Sequence, residues 1–477
     1  MNEKEPGRSA ALASDQDGER QPAQGPNLPS ERRPSPRRRI ARASILAVGG
    51  VILLALAAAL ASILSPGTAL GADTVKTAAA AIFAPSYLAL AIGKIPGLSI
   101  DRAGVALVGA CLMVAAGVLT LDEAYKAIDF NTITLLLGIM IVVANLRLSG
   151  FFAVGNAWLM RRVRRPIMLL LAVTAVSGAF SAFLVNDAIC LALSPLVLDL
   201  TLAFRRKPAP YLLALAMASN VGSTATITGN PQNILIGGFS QIPYLRFAMT
   251  LAPVAVIGLA MTAGLIALVY REEFLSGDRL QAEVPEFRYH PALVIRALVA
   301  TGTMVALFFA GWPPAKAAII VGGLLLLTRR LKSERIYAEI DWSLLLMFVG
   351  LFIIVAGAEH ALLSPDMIHA VGGLHLDNVP VLSVTTAVLS NIVSNVPAVL
   401  MLKPFVAPLH NADTAWLAVA MASTLAGNFT VLGSIANLIV VQRAASRRVQ
   451  ISFWDYFKVG APLTVLTIGV GTWWLTG

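Results

Sequence analysis

Charge is scarce in this chain. Asp, Glu, Lys and Arg make up 13% of its 477 residues, about half the roughly 25% found in soluble domains. That excludes a globule wetted on all sides. Cysteine is scarcer still: Cys111 and Cys190 stand alone in apolar runs, too few for a disulfide framework or a cysteine metal cluster. No CxxC, HExxH or GxxxxGK[ST] pattern occurs, so neither a zinc-protease centre nor a Walker-type nucleotide site is written here. Nothing marks an enzyme or calls for an organic cofactor.

What the chain has is apolar length. Hydrophobic residues make up 57% of it, gathered in runs of about 20 residues, the length that crosses a bilayer as helix. The formal charge of +10 does not point to nucleic acid, because the basic residues cluster in short loops at one end of the runs, as the positive-inside rule requires. Residues 1–42 are polar, nearly free of aromatics and closed by Arg32, Arg33, Arg37, Arg38, Arg39 and Arg42. The expectation is a disordered basic cytoplasmic tail, followed over 43–75 by an extra transmembrane helix (run 44–64). A signal peptide cut near Ala69 or Gly71 is the competing reading; the length of the run favours a span. The lipid partner is the inner (plasma) membrane.

Following the basic clusters predicts spans at 76–94, 104–120 and 130–150. The apolar stretch 166–203 then lies between Arg161, Arg162, Arg164 and Arg165 on one side and Arg205, Arg206 and Lys207 on the other. Both flanks belong inside, so it reads as a re-entrant hairpin with Asn186 and Asp187 near its turn. Spans 210–238 and 246–270, a cytoplasmic linker at 271–291, and spans 292–310, 315–328 and 342–362 follow. A second hairpin at 379–409 opens outward, 413–442 crosses inward, 450–458 is an interfacial piece and 459–475 the last span. The predicted fold is an all-α polytopic membrane protein with about 11 transmembrane helices, two re-entrant hairpins and broken helices. Lys403, in the second hairpin, is expected to snorkel to the interface; Asp199, Arg147 and Glu359 lie at span ends.

The chain also repeats itself. Ile128-Asp129-Phe130 matches Ile340-Asp341-Trp342, Asn186 matches Asn395, and Thr226, Gly229 and Asn233 match Thr430, Gly433 and Asn437. An odd number of crossings between copies makes the repeats (76–270 and 292–477) inverted, the architecture of secondary carriers.

The segment from Ser219 to Asn233 holds two Gly, one Pro, three Asn, one Gln and several hydroxyls. Pro231 removes an N–H, and Gly222 and Gly229 permit unwinding. Unwound carbonyls can hold a cation, and a half-helix N-terminus attracts an anion. Small residues also serve close helix packing, which accounts for Gly and Ser but not for Asn230, Gln232, Asn233 and Asn437 together. The candidate substrate and ion ligands are Asn186, Asp187, Asn220, Gly222, Thr224, Thr226, Gly229, Asn230, Asn233, Ser394, Asn395, Thr430, Gly433 and Asn437. Na+ is the candidate coupling ion at Asn186, Gly229, Asn395 and Gly433. Asp187, an intramembrane carboxyl, is the candidate for proton coupling, with a structural hydrogen-bond acceptor as its alternative.

The patterns Ser181-Ala182-Phe183-Leu184-Val185-Asn186-Asp187-Ala188, Gly222 to Asn233, and Ser394-Asn395-Val396-Pro397 resemble the ion-transporter superfamily. It includes citrate transporter-like proteins, arsenite permeases, NhaD-type sodium/proton antiporters and divalent anion/sodium symporters. The resemblance covers about 76–477 and implies that hairpin tips and unwound segments form the substrate and coupling-ion sites, and that the protein is a homodimer. The divalent-anion symporters carry Ser-Asn-Thr at both tips. This chain departs from that with Asn186-Asp187-Ala188 and Ser394-Asn395-Val396, and its acidic tip is more similar to the arsenite-permease and citrate transporter-like branches. The first expectation is a small-anion carrier coupled to H+ or Na+, the second an NhaD-type antiporter, and the third a non-transporting membrane scaffold.

Overall fold

A computed structural model describes residues 69–92, 100–274, 280, 290–327, 331–362 and 375–477. The basic tail, the run 44–64, most of the 271–291 linker, and Arg329 and Arg330 lie outside the described residues. Every regular element among the described residues is helical. In chain order these are α1 (Ala69–Ile92), α2 (Arg102–Ala115), α3 (Leu121–Ala127), α4 (Phe130–Leu148), α5 (Phe151–Arg162), α6 (Pro166–Phe183), α7 (Asn186–Ala203) and α8 (Pro208–Ser223). They continue with α9 (Pro231–Ser240), α10 (Tyr244–Val269), α11 (Arg271–Phe274), α12 (Pro291–Phe309), α13 (Pro314–Leu326), α14 (Ser333–Tyr337) and α15 (Trp342–Leu362). Last come α16 (Val379–Val393), α17 (Asn395–Val406), α18 (Ala412–Ala426), α19 (Ile435–Ser446) and α20 (Phe453–Thr476). Seven of them are long and apolar enough to cross a membrane, and the chain is an all-helical multi-pass membrane protein.

Two details depart from the sequence reading. The stretch leading to Arg161 and Arg162 is a helix of its own, α5, set off by Gly150 in the left-handed region (φ 85°). The segment 450–458 is not a separate interfacial piece. Ser452 and Asp455 form a capping box that starts α20, which runs unbroken to Thr476. The cap satisfies the first orphan N–H groups, so the helix begins there despite the polar composition.

The helices pack as two bundles. α6 to α10 with α16 to α20 form one, called here the core; the other, called the frame, is two three-helix groups, α1, α2 and α15 and α4, α12 and α13, that meet through α4 and α15. Between helices in lipid the hydrophobic effect gives little drive, so close backbone approach carries the association. The frame shows this twice. A Cβ on Gly350 of α15 would lie 2.5 Å from the backbone of Ala106 in α2, and one on Gly138 of α4 would lie 2.5 Å from that of Ala318 in α13. Ala106 and Ala318 are 212 positions apart, as are Gly138 and Gly350. The same crossing is therefore made twice, each time between a helix of the first half and one of the second.

The core holds the polar residues. Every residue from Pro210 to Ile236 and from Ala415 to Asn428 is buried. The first stretch contains the whole of its break, as irregular backbone at membrane depth requires; the second break begins in the buried stretch but runs on through Val431–Gly433, where Leu432 is exposed.

Candidate functional site

α6 and α7 are joined through Leu184 and Val185, and α16 and α17 through Ser394. At both turns a non-glycine residue takes positive φ, 58° at Val185 and 78° at Ser394, a costly conformation for a side-chain-bearing residue. In each case an Asn follows at the first position of the next helix: Asn186 opens α7 and Asn395 opens α17. The correspondence continues along both arms. Thr174, Ser177, Ser181, Asn186 and Pro195 match Ser383, Thr386, Ser390, Asn395 and Pro404 at one offset of 209.

The broken helices are equally alike. α8 stops at Ser223, a 3-10 turn spans Ile227–Gly229, and α9 starts at Pro231. α18 stops at Ala426, a 3-10 turn spans Val431–Gly433, and α19 starts at Ile435. Asn233 Nδ2 donates to the carbonyls of Ser223 (3.2 Å) and Thr226 (3.0 Å). Asn437 Nδ2 donates to those of Gly427 (2.7 Å) and Thr430 (3.2 Å). The two breaks then lock together. Asn220 Nδ2 donates to Asn428 Oδ1 (2.9 Å) and Asn437 Oδ1 (3.0 Å), and Ser434 Oγ donates to Asn220 Oδ1 (3.1 Å). In the opposite sense, Thr424 Oγ1 accepts from Asn230 (3.0 Å) and Gln232 (3.3 Å) and donates to Asn233 Oδ1 (3.3 Å).

A narrow cleft opens where tips and breaks meet. The core lines it with Asn186, Asp187, Ser394 to Pro397, Pro231, Gln232, Ser434 and Ile435, and the frame with Leu90, Arg102, Leu344 and Met347. Four helices of the core, α7, α9, α17 and α19, thus present their first residues to one space. The positive ends of their dipoles favour negative charge there, although Pro231 has no N–H and the Asn233 N–H is taken by Asn230 Oδ1. Asp187 runs against this trend; the Ala436 N–H, in the first turn of α19, faces its carboxylate. The Oδ1 atoms of Asn186 and Asn395 are buried and have no hydrogen-bond partner among the described residues. Such acceptors are costly unless something donates to or coordinates them.

Of the fourteen residues expected at the site, Asn186, Asp187, Ser394 and Asn395 line the cleft. The remainder stand behind it. Asn220, Asn230, Asn233 and Asn437 form the lock, and the Thr226 and Thr430 carbonyls are held by its carboxamides. Thr226 Oγ1 donates to the Ala182 carbonyl and Thr224 Oγ1 to that of Asn220 (3.4 Å). Gly222 lets α8 press on Gly178 of α6. Gly229 and Gly433 pack on the carbonyls of Ser223 and Gly427, where a Cβ would collide. Sequence reasoning missed Arg102, Thr424, Asn428 and Ser434 as participants. Thr424, Asn428 and Ser434 lay within a segment already marked as polar; Arg102 had no local signal.

A second narrow cleft touches Asp187 and is lined also by Arg147, Glu339, Asp341 and Leu344. Arg147 and Glu339 are ion-paired, and Asp341 caps α15 by accepting from the Leu344 N–H (3.0 Å). Lys403 is half-exposed. Its Nζ lies 3.5 Å from Glu359 and 5.3 Å from the centre of the Phe239 ring. Asp199 meets Arg447 at 3.6 Å on an exposed surface.

The two hairpins are held differently. The first is tied to its broken helix by Ser181–Ser219 (2.7 Å), Asn186–Asn220 (2.9 Å), Ser219 to the Asn186 carbonyl (3.1 Å) and the Thr226 bond. In the second, Asn391 Nδ2 donates to the Ala426 carbonyl (3.2 Å), while the buried hydroxyls of Ser383, Thr386 and Ser390 have no partner among the described residues.

Comparison with known proteins agrees with this architecture. Residues 87–426, well over half of the chain, match the citrate transporter family, CitMHS. The chain is similar to the uncharacterized transporter Rv2684 of Mycobacterium tuberculosis (28% identity, 83% of this chain and 97% of that protein). It is likewise similar to the silicon efflux transporter LSI3 of Oryza sativa (29%, covering 79% and 93%) and the inner membrane protein YbiR of Escherichia coli (31%, covering 72% and 87%). Its fold resembles the crystal structure of the Alcanivorax borkumensis YdaH transporter, with a TM-score of 0.55 at 14% identity, covering 75% of this chain and 86% of that one. A chain with this fold and this match belongs to the citrate transporter family of the ion-transporter superfamily, and is a transporter rather than an enzyme.

Proposed function

We propose that this protein is a secondary carrier of a small inorganic or carboxylate anion across the inner membrane. On this reading it is driven by H+ or Na+ and works by movement of the core past the frame. The observation that carries the proposal is the meeting of four helix N-termini, two from each half, at one cleft. An anion placed there would meet N–H groups from both halves. The matched crossings, hairpins and breaks support two inverted repeats, with the hairpins re-entering from opposite faces and the N-terminus cytoplasmic. The homodimer follows the superfamily resemblance.

Two features support ion coupling. The unpartnered Oδ1 atoms of Asn186 and Asn395 are neutral oxygen ligands of the kind that suits Na+. Asp187, set between the two clefts, suits a proton. Asn233 and Asn437 engage the carbonyls of Ser223, Thr226, Gly427 and Thr430, which leaves those of Gly229 and Gly433 as candidate Na+ ligands beside the tip oxygens.

The antiporter reading draws support from one observation, the carboxylates of Asp341 and Glu339 in the cleft beyond Asp187. Proteoliposome uptake of citrate, succinate, phosphate and arsenite, and of 22Na+, under imposed pH and sodium gradients separates the two. Anion accumulation supports the carrier; sodium movement driven by ΔpH alone, with no anion moved, overturns it.

A further inference from the structure

The two walls of the cleft differ in kind. The core side is polar, and its charged side chain is Asp187. The frame side is Leu90, Leu344 and Met347, with Arg102 as the cationic side chain among the lining residues. Arg102 opens α2, so its guanidinium stands at the end of a helix anchored in the frame by the Ala106–Gly350 crossing. It is half-buried and forms no ion pair within 4 Å among the described residues, its electrostatic partner being Asp187 across the cleft. A guanidinium stays charged at any pH a cell meets and offers a planar fork of donors that fits carboxylate and phosphate oxygens. Arg102 and Asp187 line one cleft without closing on each other as an ion pair, so each keeps its charge available to a third group.

From this arrangement, and resting on the carrier reading above, we propose that Arg102 is the charge partner of the transported anion. It thereby selects solutes bearing a formal carboxylate- or phosphate-type charge over neutral hydroxy-acids. The core contributes N–H dipoles and neutral amides, which accept either kind of solute. Arg102 supplies the full charge that tells them apart, because desolvating a neutral solute against an unpaired guanidinium gains nothing in exchange. The charge also belongs to the part of the protein that the core moves past. An anion bound in this arrangement loses a partner when the core shifts, so its affinity differs between states, which is what a ligand needs in order to shift an equilibrium.

The test uses the full chain in liposomes, with radiolabelled citrate and arsenite (uncharged at neutral pH) as probes, and R102Q and R102K as variants. R102Q should raise the citrate KM roughly 10- to 100-fold, the loss of one charge-assisted hydrogen bond, while kcat changes little. R102K should recover part of that loss. Any arsenite uptake should keep its wild-type KM. Thermal unfolding of each variant controls for folding, and if R102Q does not fold, R102K alone should still raise the citrate KM several-fold. An unchanged citrate KM in the variants, equal losses for citrate and arsenite, or a wild type that carries arsenite but no citrate, succinate or phosphate would overturn the proposal. A wild type that moves none of these solutes overturns the carrier reading itself, a result distinguishable because it precedes any mutation.

Discussion

Asn233 and Asn437 hold the same pair of carbonyls in their two copies of the broken helix. Each carboxamide donates to a residue ten positions earlier and to another seven positions earlier. Unwinding frees backbone oxygens, and in a water-poor core these must find donors. The Asn side chain supplies both from one nitrogen. Asn233→Ala and Asn437→Ala should each cost about 1–3 kcal/mol through orphaned buried carbonyls, measured as a lower midpoint of thermal or denaturant unfolding in detergent. Asn233→Asp, which has the size but not the donors, should be no better than Ala; full stability in that variant would refute the role.

The hairpins should answer differently to loss of a hydroxyl. Ser181→Ala removes a made bond to Ser219 and should destabilise by about 1 kcal/mol. Ser383→Ala, Thr386→Val and Ser390→Ala remove buried hydroxyls without partners and should be neutral or stabilising. Melting temperatures of the four variants decide; equal losses in both hairpins would contradict the asymmetry.

Asp187 is a carboxyl at a helix start inside the core. Asp187→Asn keeps the shape and removes the titrating charge. The expected result is anion exchange that persists while accumulation under an imposed pH gradient disappears. Intact ΔpH-driven accumulation in the variant would remove Asp187 from coupling.

Arg165 and Lys207 flank the first hairpin and are exposed. Cysteines placed there, in a background with Cys111 and Cys190 replaced, should both react with an impermeant thiol reagent from the cytoplasmic side and neither from outside. A split result would mean that 166–203 crosses the membrane.

The polar breaks and tips were legible in the sequence because Gly, Pro and Asn in an apolar helix are conspicuous and each has a local reason to be there. Gln232, Asn233 and Asn437 stood out for that reason. Arg102 did not, since a basic residue at a helix start looks like any loop residue. Its place in the cleft comes from the fold, which sets the start of α2 opposite the tips of the core. Likewise the division of the fourteen residues into four that line the cleft and ten behind it is a matter of depth, which spacing along the chain does not report. Helix α5 was hidden by the basic cluster at its end, where charge drew the reading toward a loop.

The exchanged crossings of the frame also have a consequence for biosynthesis. Ala106 finds Gly350 only after the chain between them has been made. At about 5–20 residues per second that is roughly 12–50 s of synthesis, during which α2 waits in the bilayer without its partner. The halves therefore cannot mature one after the other as independent units. The first must be held in an unfinished state, exposed to mispairing and quality control, until the second arrives.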